Sequence, residues 1–271
     1  MGTLARRSVA LTLLAAFLGV ASTSSAQDSD TDKARVLRWQ SLRTTIFGQR
    51  TLIDGSGRIE LEAPSRALDA ALVPITIKLN GSEPAKGLYL IVDMNPAPLA
   101  GHFVFGPQSD PSLLKLRIRV DQYTSIHAIA ETTTGVLYVT ERFIKASGGC
   151  SAPAGASEAE ALQDLGQMKL KLLTPVAAGI PARAQLMIRH PNFNGMQMNQ
   201  LTHLYTPARY LRAIDVTYRG GKVFHLDSDI SLSADPVITF GFVPASGGEL
   251  QVAARDSKGT SFEHQFSIPP R

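Results

Sequence analysis

The chain has one cysteine, Cys150. No internal disulfide can form, so the fold must rest on core packing alone. No basic stripe with interleaved aromatics occurs, and nucleic acid is not an expected partner. Past the first 26 residues no apolar run is long enough to cross a bilayer. Paired carboxylates, a serine triad, a phosphate-binding glycine loop and a dinucleotide fingerprint are all missing from any credible context. No histidine lies within twenty residues of Cys150, so there is no local Cys-His pair. These absences favour a carrier or binding protein over an enzyme. Neither catalytic residues nor metal ligands are expected, and no cofactor.

Residues 1–26 read as a secretory signal peptide. Arg6 and Arg7 form the positive start, Val9 to Ala21 the apolar stretch, and Ser24-Ser25-Ala26 the small residues before cleavage. The Arg6-Arg7 pair leaves Sec and twin-arginine export both open. The formal net charge of +4 drops by two when the signal is removed. The expected product is a periplasmic protein, off the membrane after cleavage, of about 245 residues, enough for one large domain or two small ones.

Asp28 to Asp32 is polar and reads as a disordered lead-in. Val36, Trp39, Leu42 and Ile46 or Phe47 recur at helical spacing and predict a helix over 33–47, ended by Gly48. Strand patterns follow. Val73-Pro74-Ile75-Thr76-Ile77-Lys78-Leu79 alternates cleanly into an Asn80-Gly81 turn. Leu88 to Val92, Phe103 to Phe105 and Leu116 to Val120 read as further strands, and Ile126 to Thr132 with Val136 to Ile144 as a hairpin. Ser151 to Gln167 is rich in Ala, Gly, Ser and Glu and reads as a linker with one helical turn near Glu158. A second set of strands runs from Lys169 to Ile268, its last hairpin turning at Asp256-Ser257-Lys258-Gly259. Short strands divided by turn residues indicate a mainly all-β chain with a short N-terminal helix: two β-sandwiches, 33–150 and 168–271, joined by the linker 151–167. Each half carries an aromatic pair running into a proline: Phe103-Val104-Phe105-Gly106-Pro107 and Phe240-Gly241-Phe242-Val243-Pro244.

Cys150 lies in Lys145-Ala146-Ser147-Gly148-Gly149-Cys150-Ser151-Ala152-Pro153. The two glycines strip away side chains and permit unusual backbone angles, so the segment reads as an arm holding the thiol out to solvent. Thiolate is the reactive form, and Lys145 is the candidate cation to support it. Together with Ala63-Pro64-Ser65-Arg66-Ala67, Val73-Pro74-Ile75 and Asp93-Met94-Asn95-Pro96-Ala97-Pro98, this segment resembles SoxY, the sulfur-carrier subunit of bacterial thiosulfate oxidation. Ile188-Arg189-His190-Pro191 with Gly195, and Pro236 to Phe242, resemble its partner SoxZ. The whole resembles the fused SoxYZ-like carriers associated with quinoprotein dehydrogenases. The resemblance implies two immunoglobulin-like sandwiches that pair, within one chain or between two. It also implies a covalent carrier whose Cys150, on the arm Gly148-Gly149, bears a sulfur intermediate. The implied partners are periplasmic redox enzymes: a quinoprotein dehydrogenase, a c-type cytochrome or Sox-like enzymes. The family's arm ends freely after Gly-Gly-Cys-Gly-Gly; here Ser151, Ala152 and Pro153 follow, and the arm is tethered at both ends.

Two other readings stand beside this one. The chain could be a non-covalent assembly module for a periplasmic dehydrogenase or cytochrome, with Cys150 incidental and buried like a small apolar residue. It could also be a copper chaperone using Met187, His190, Met196, Met198 and His203, since thioether and imidazole ligands suit copper. Asp93, Asp227 and Asp229 read as turn and strand-end residues more than as calcium ligands. His102 and His127 read as surface or interface residues beside strands.

Overall fold

In β3 (Val73–Leu79) the alternation read from the sequence becomes a face: Val73, Ile75 and Ile77 are buried, and Pro74 is exposed. The same physics organises the rest of the chain. The computed structural model describes residues 24–81, 83–152, 158–199, 202–245 and 247–269, and the side chains from residue 32 onward. The predicted signal sequence therefore lies mostly outside the described residues.

The first half contains α1 (Ser24–Phe47), β1 (Leu52–Asp54), β2 (Ile59–Glu62), β3, β4 (Ala85–Val92), β5 (Leu99–Phe105), β6 (Ser109–Ile118), β7 (Thr124–Thr132) and β8 (Leu137–Ile144). A short α2 (Glu158–Leu162) precedes the second half: β9 (Met168–Leu172), β10 (Ala182–Ile188), β11 (Leu211–Tyr218), β12 (Gly221–Ser228), β13 (Val237–Phe242), β14 (Gly248–Asp256) and β15 (Ser261–Ile268). The protein is mainly β, in two sheets, as immunoglobulin-like sandwiches require.

Each sheet runs through both halves. The nine-stranded sheet has the order β1-β8-β7-β4-β5-β12-β11-β14-β15, and the six-stranded sheet β2-β3-β6-β13-β10-β9. Two antiparallel ladders cross the seam: β5 with β12, pairing Phe105 with Phe224 through Gly101 with Ser228, and β6 with β13, pairing Lys115 with Thr239 and Asp110 with Gly241. One continuous apolar core fills the space between the sheets. At the seam Phe103 lies 5.6 Å from Phe224, which meets Phe240 edge-on at 5.1 Å. The two aromatic motifs thus face each other across the join. Their glycines mark where the halves come closest. A Cβ on Gly106 would lie 2.1 Å from the Lys222 carbonyl oxygen, and one on Gly241 2.5 Å from that of Asp110. Arg183 pairs with Asp110 and donates to Ser112 Oγ (2.7 Å), binding β10 to β6 across the join.

The helix departs from its sequence reading. It begins at Ser24 and takes in the stretch read as a disordered lead-in. Val36 is 55% exposed; Arg35 takes its place on the inner face, its guanidinium 4.9 Å from the Phe143 ring. Trp39, Leu42, Ile46 and Phe47 cover Ile91, Ile129 and Leu137 on the outer face of the large sheet. Trp39 stacks flat on His127 at 3.6 Å. His127 is consequently buried, its two nitrogens facing Asp93 Oδ1 and Glu141 Oε2, each at 3.0 Å. His102 is half-buried in β5 and stacks on Tyr89 at 4.0 Å. Both histidines are strand residues packed into the fold. The short parallel strand β1 and the early start of β6 at Ser109 were not legible in the pattern. β6 carries Pro111 and a break in its register with β13, which obscure alternation.

Because the Gly106 slot is bounded by backbone, Gly106→Ala should force β5 and β12 apart at the seam. The expected loss is about 1–3 kcal/mol. Urea unfolding followed by circular dichroism measures it. An unchanged midpoint would mean that the seam yields freely.

Candidate functional site

The segment bearing Cys150 leaves β8 alongside residues 65–67. Lys145 N–H donates to Ser65 O (2.9 Å), and Ala67 N–H to Lys145 O (3.1 Å). The chain then turns inward. Gly148, with φ of +77°, donates to Asp121 O (2.8 Å), and Gly149 to Val120 O (3.0 Å). Only glycine fits at 149: a Cβ there would lie 2.1 Å from Ala70 O and 2.6 Å from Val120 O. A turn follows, in which Ala152 N–H and Ser151 Oγ both donate to Gly148 O.

The second half closes over this turn. Asn194 Nδ2 donates to Cys150 O (2.6 Å), and Gln197 Nε2 to Ala152 O (3.3 Å). The thiol is therefore 0% exposed, held between β6's extension on one side and the 190–199 loop on the other. This corrects the reading of an arm that holds its thiol out to solvent. The glycines serve to let the backbone enter a slot. Two further hydrogen bonds from the second domain then keep it there.

Burial pushes the Cys150 thiol up to about 12. Asp121 adds to the rise, and Arg119 partly opposes it. At neutral pH the sheltered thiol is held in its protonated form, so the closed state is unreactive. Lys145 is exposed and takes no part in this balance; the cation that acts on the thiol is Arg119. That guanidinium is itself buried, which pulls its own pKa below the ordinary value. Its Nη2 donates to Pro191 O (3.4 Å) and Asn192 O (3.1 Å), and its Nε has no partner among the described residues.

A polar lattice fixes these groups. Asn95 donates to Arg119 O and Ser231 Oγ (2.8 Å each) and accepts from Asp121 N (2.9 Å). Ser231 Oγ donates to Ala97 O (2.6 Å). Asn192 Nδ2 donates to Ser233 O (2.8 Å), while its Oδ1 accepts from Leu211 N (3.0 Å). The motif Asp93 to Pro98 therefore acts as a pin joining three chain segments beneath the thiol. Arg119, Asn95 and Asn194 escaped the sequence reading. The one available signal was an arginine at an alternating position, Leu116-Arg117-Ile118-Arg119-Val120, on a strand predicted to enter the core.

The residues considered as metal ligands are placed as follows. His190 is buried, and its Nδ1 accepts from Asn192 N (3.0 Å); His203 is exposed in a turn. Met196 and Met198 are partly buried in the loop between them. Asp93 and Asp227 are engaged by His127 and His225. Among the described residues no group of three or more His, Cys, Asp and Glu is placed to hold a metal.

The geometry defines a class: a β-sandwich protein formed from two halves, bearing one sheltered thiol on the segment that links them. A family model for the sulfur oxidation protein SoxY matches residues 43–150, and one for SoxZ matches residues 170–267. The chain thus joins a domain of the SoxY family to one of the SoxZ family, both families of sulfur oxidation proteins. No curated protein matches it. Among solved structures it is similar to the sulfur carrier protein SoxY from Chlorobium limicola f thiosulfatophilum. The identity is 23% and the TM-score 0.37, over 43% of this chain and 98% of that one. It is also similar to a β-glycosidase from Bacteroides vulgatus at 9% identity and a TM-score of 0.24, over 78% of this chain and 24% of that one.

Two outcomes follow. Asn194→Ala removes the donor to Cys150 O and should speed alkylation of Cys150 in the folded protein at least tenfold. Mass spectrometry of iodoacetamide-treated samples reads the rate, and no change would show that Asn194 does not restrain the segment. The second concerns pH. Burial depresses His190 from 6.5 to about 4. Between those values the unfolded chain binds a proton that the folded one refuses, so stability falls as pH drops through this window, by about 3 kcal/mol at most. His190→Asn, which keeps an acceptor for Asn192 N, should flatten that slope in urea titrations at pH 4 to 7.

Proposed function

We propose that this protein is a periplasmic covalent carrier. Cys150 bears a sulfur-containing group, shelters it between the two halves, and presents it to partner redox enzymes when the segment opens. The observation that carries this reading is the position of the only cysteine. It is the last residue of the SoxY match, on a Gly148-Gly149 segment that belongs to neither sheet. That segment is held by a few hydrogen bonds, and opening it leaves both sheets intact. Docking of a partner on the 190–199 loop supplies the opening. Partners of the expected kind are a quinoprotein dehydrogenase, a c-type cytochrome or Sox-like enzymes. The chain then acts as a carrier with no catalytic site of its own.

Burial of the thiol favours a second reading, in which the paired halves are a non-covalent assembly module for such a dehydrogenase or cytochrome and Cys150 is a core residue. The two readings separate on one measurement. Intact mass spectrometry of the mature protein from native periplasm, before and after a thiol reductant, should show a reducible increment of sulfur or thiosulfonate on Cys150. Cys150→Ser should fold normally and lack it. A thiol that stays unmodified in active cells, with pathway activity unaffected by Cys150→Ser, would establish the assembly module.

A further inference from the structure

Arg119 is a buried cation with no carboxylate hydrogen-bonded to it among the described residues. It is 2% exposed, and the groups it touches through Nη2 are the neutral carbonyls of Pro191 and Asn192. Its Nε–H is buried and has no acceptor among the described residues. Of the acidic groups acting on it, Asp69 is exposed and occupied with Ala71 N; the other is the Cys150 thiol, which is neutral in the closed state. Buried charges are ordinarily paired, and a guanidinium fork is the group best suited to sulfonate-like or carboxylate-like oxygens. The arrangement therefore lacks one component: a negative group attached at Cys150.

We infer that Arg119 is a positioning residue that receives the negative end of the sulfur group carried on Cys150, so that the loaded segment closes more firmly than the empty one. The inference rests on the carrier reading. It adds a selection rule: anionic termini, such as a persulfide or a thiosulfonate, are retained in the closed state, and neutral ones are not. Several loops share in holding Arg119 for this role. Its backbone N–H donates to Ser231 O (2.8 Å), its carbonyl accepts from Asn95, and Asn192 and Pro191 hold the far end of the fork. Both halves thus contribute to the receptor, and neither domain alone contains it.

The test uses the mature full-length chain, loaded in mild urea and returned to buffer. Tetrathionate supplies the anionic adduct. The Cys150 thiolate attacks a central sulfur, a new S–S bond forms, thiosulfate leaves with the bonding pair, and the thiol proton passes to buffer. Methyl methanethiosulfonate supplies the neutral adduct, a methyl disulfide, with methanesulfinate leaving. The anionic adduct should melt at least about 3 °C above the neutral one in the wild type. In Arg119→Met the difference should vanish. Equal melting points in the wild type, or a difference that survives Arg119→Met, overturns the proposal. Should Arg119→Met not fold, Arg119→Lys replaces it: the difference must then shrink by half or more, and an undiminished one overturns the inference. Native-protein mass spectrometry tests carriage separately. An empty Cys150 in cells would sink the carrier reading and leave the melting comparison standing.

Discussion

The whole structure depends on two strand pairings, β5 with β12 and β6 with β13. They turn what could have been two sandwiches into two sheets that run unbroken through both halves. An edge strand with unmet hydrogen bonds is a liability, and here, in both sheets, each half covers one edge of the other. The cost is steric: backbone must approach backbone, which is why Gly106 and Gly241 stand where they do. The gain is a continuous core, with Phe103, Phe224 and Phe240 in contact across the join. A chain that cannot form a disulfide obtains its cohesion this way.

The join also determines where the thiol can be kept. Buried polar residues gather at one end of the seam: Asn95, Arg119, Asn192, Asn194, Ser231 and Ser233. Each bonds a backbone group, and several bonds cross from one half to the other. Such a lattice is costly when half-satisfied and rigid when complete. Among the described residues, the buried polar atoms left unsatisfied around it are Arg117 Nε, Arg119 Nε, Gln197 Oε1 and His190 Nε2, the last 3.7 Å from Asp256. The Cys150 segment enters this lattice as its least embedded member, held at Gly148, Gly149, Cys150 and Ala152 and by no sheet ladder.

Much of this could be read in the sequence, and the failures have physical causes. Strands such as Val73–Leu79 declared themselves through alternation, because one face meets the core and the other is more open, and the hairpin around Gly135 through two apolar runs divided by a turn. The Phe-x-Phe motifs were visible, but their meeting across the seam was not, since strand pairing between distant segments leaves no local pattern. Cys150 stood out for the same reason that misled the reading of its exposure. Flanking glycines signal either a loose arm or a tight slot, and composition cannot tell these apart. Lys145 was close in sequence, whereas Arg119 is close in space. An arginine in a strand reads as a solvent-facing residue until the partner domain is placed over it.

Tethering the arm at both ends changes what a carrier must do. A free tail reaches its enzymes by length, at the cost of a thiol always open to oxidation in an oxidising compartment. A segment anchored in both halves cannot reach far, so its partner must come to it. In exchange the resting thiol is dry, neutral and inert, with its acidity pushed out of the physiological range. Reactivity is then a property of opening, and whatever breaks the Asn194 and Gln197 bonds sets the thiol's chemistry as well as its access. In the proposed carrier, the buried Arg119 guanidinium adds a bias between loaded and empty states: an anion on the sulfur settles its charge, and closure of the loaded form follows from the same desolvation that keeps the empty thiol silent.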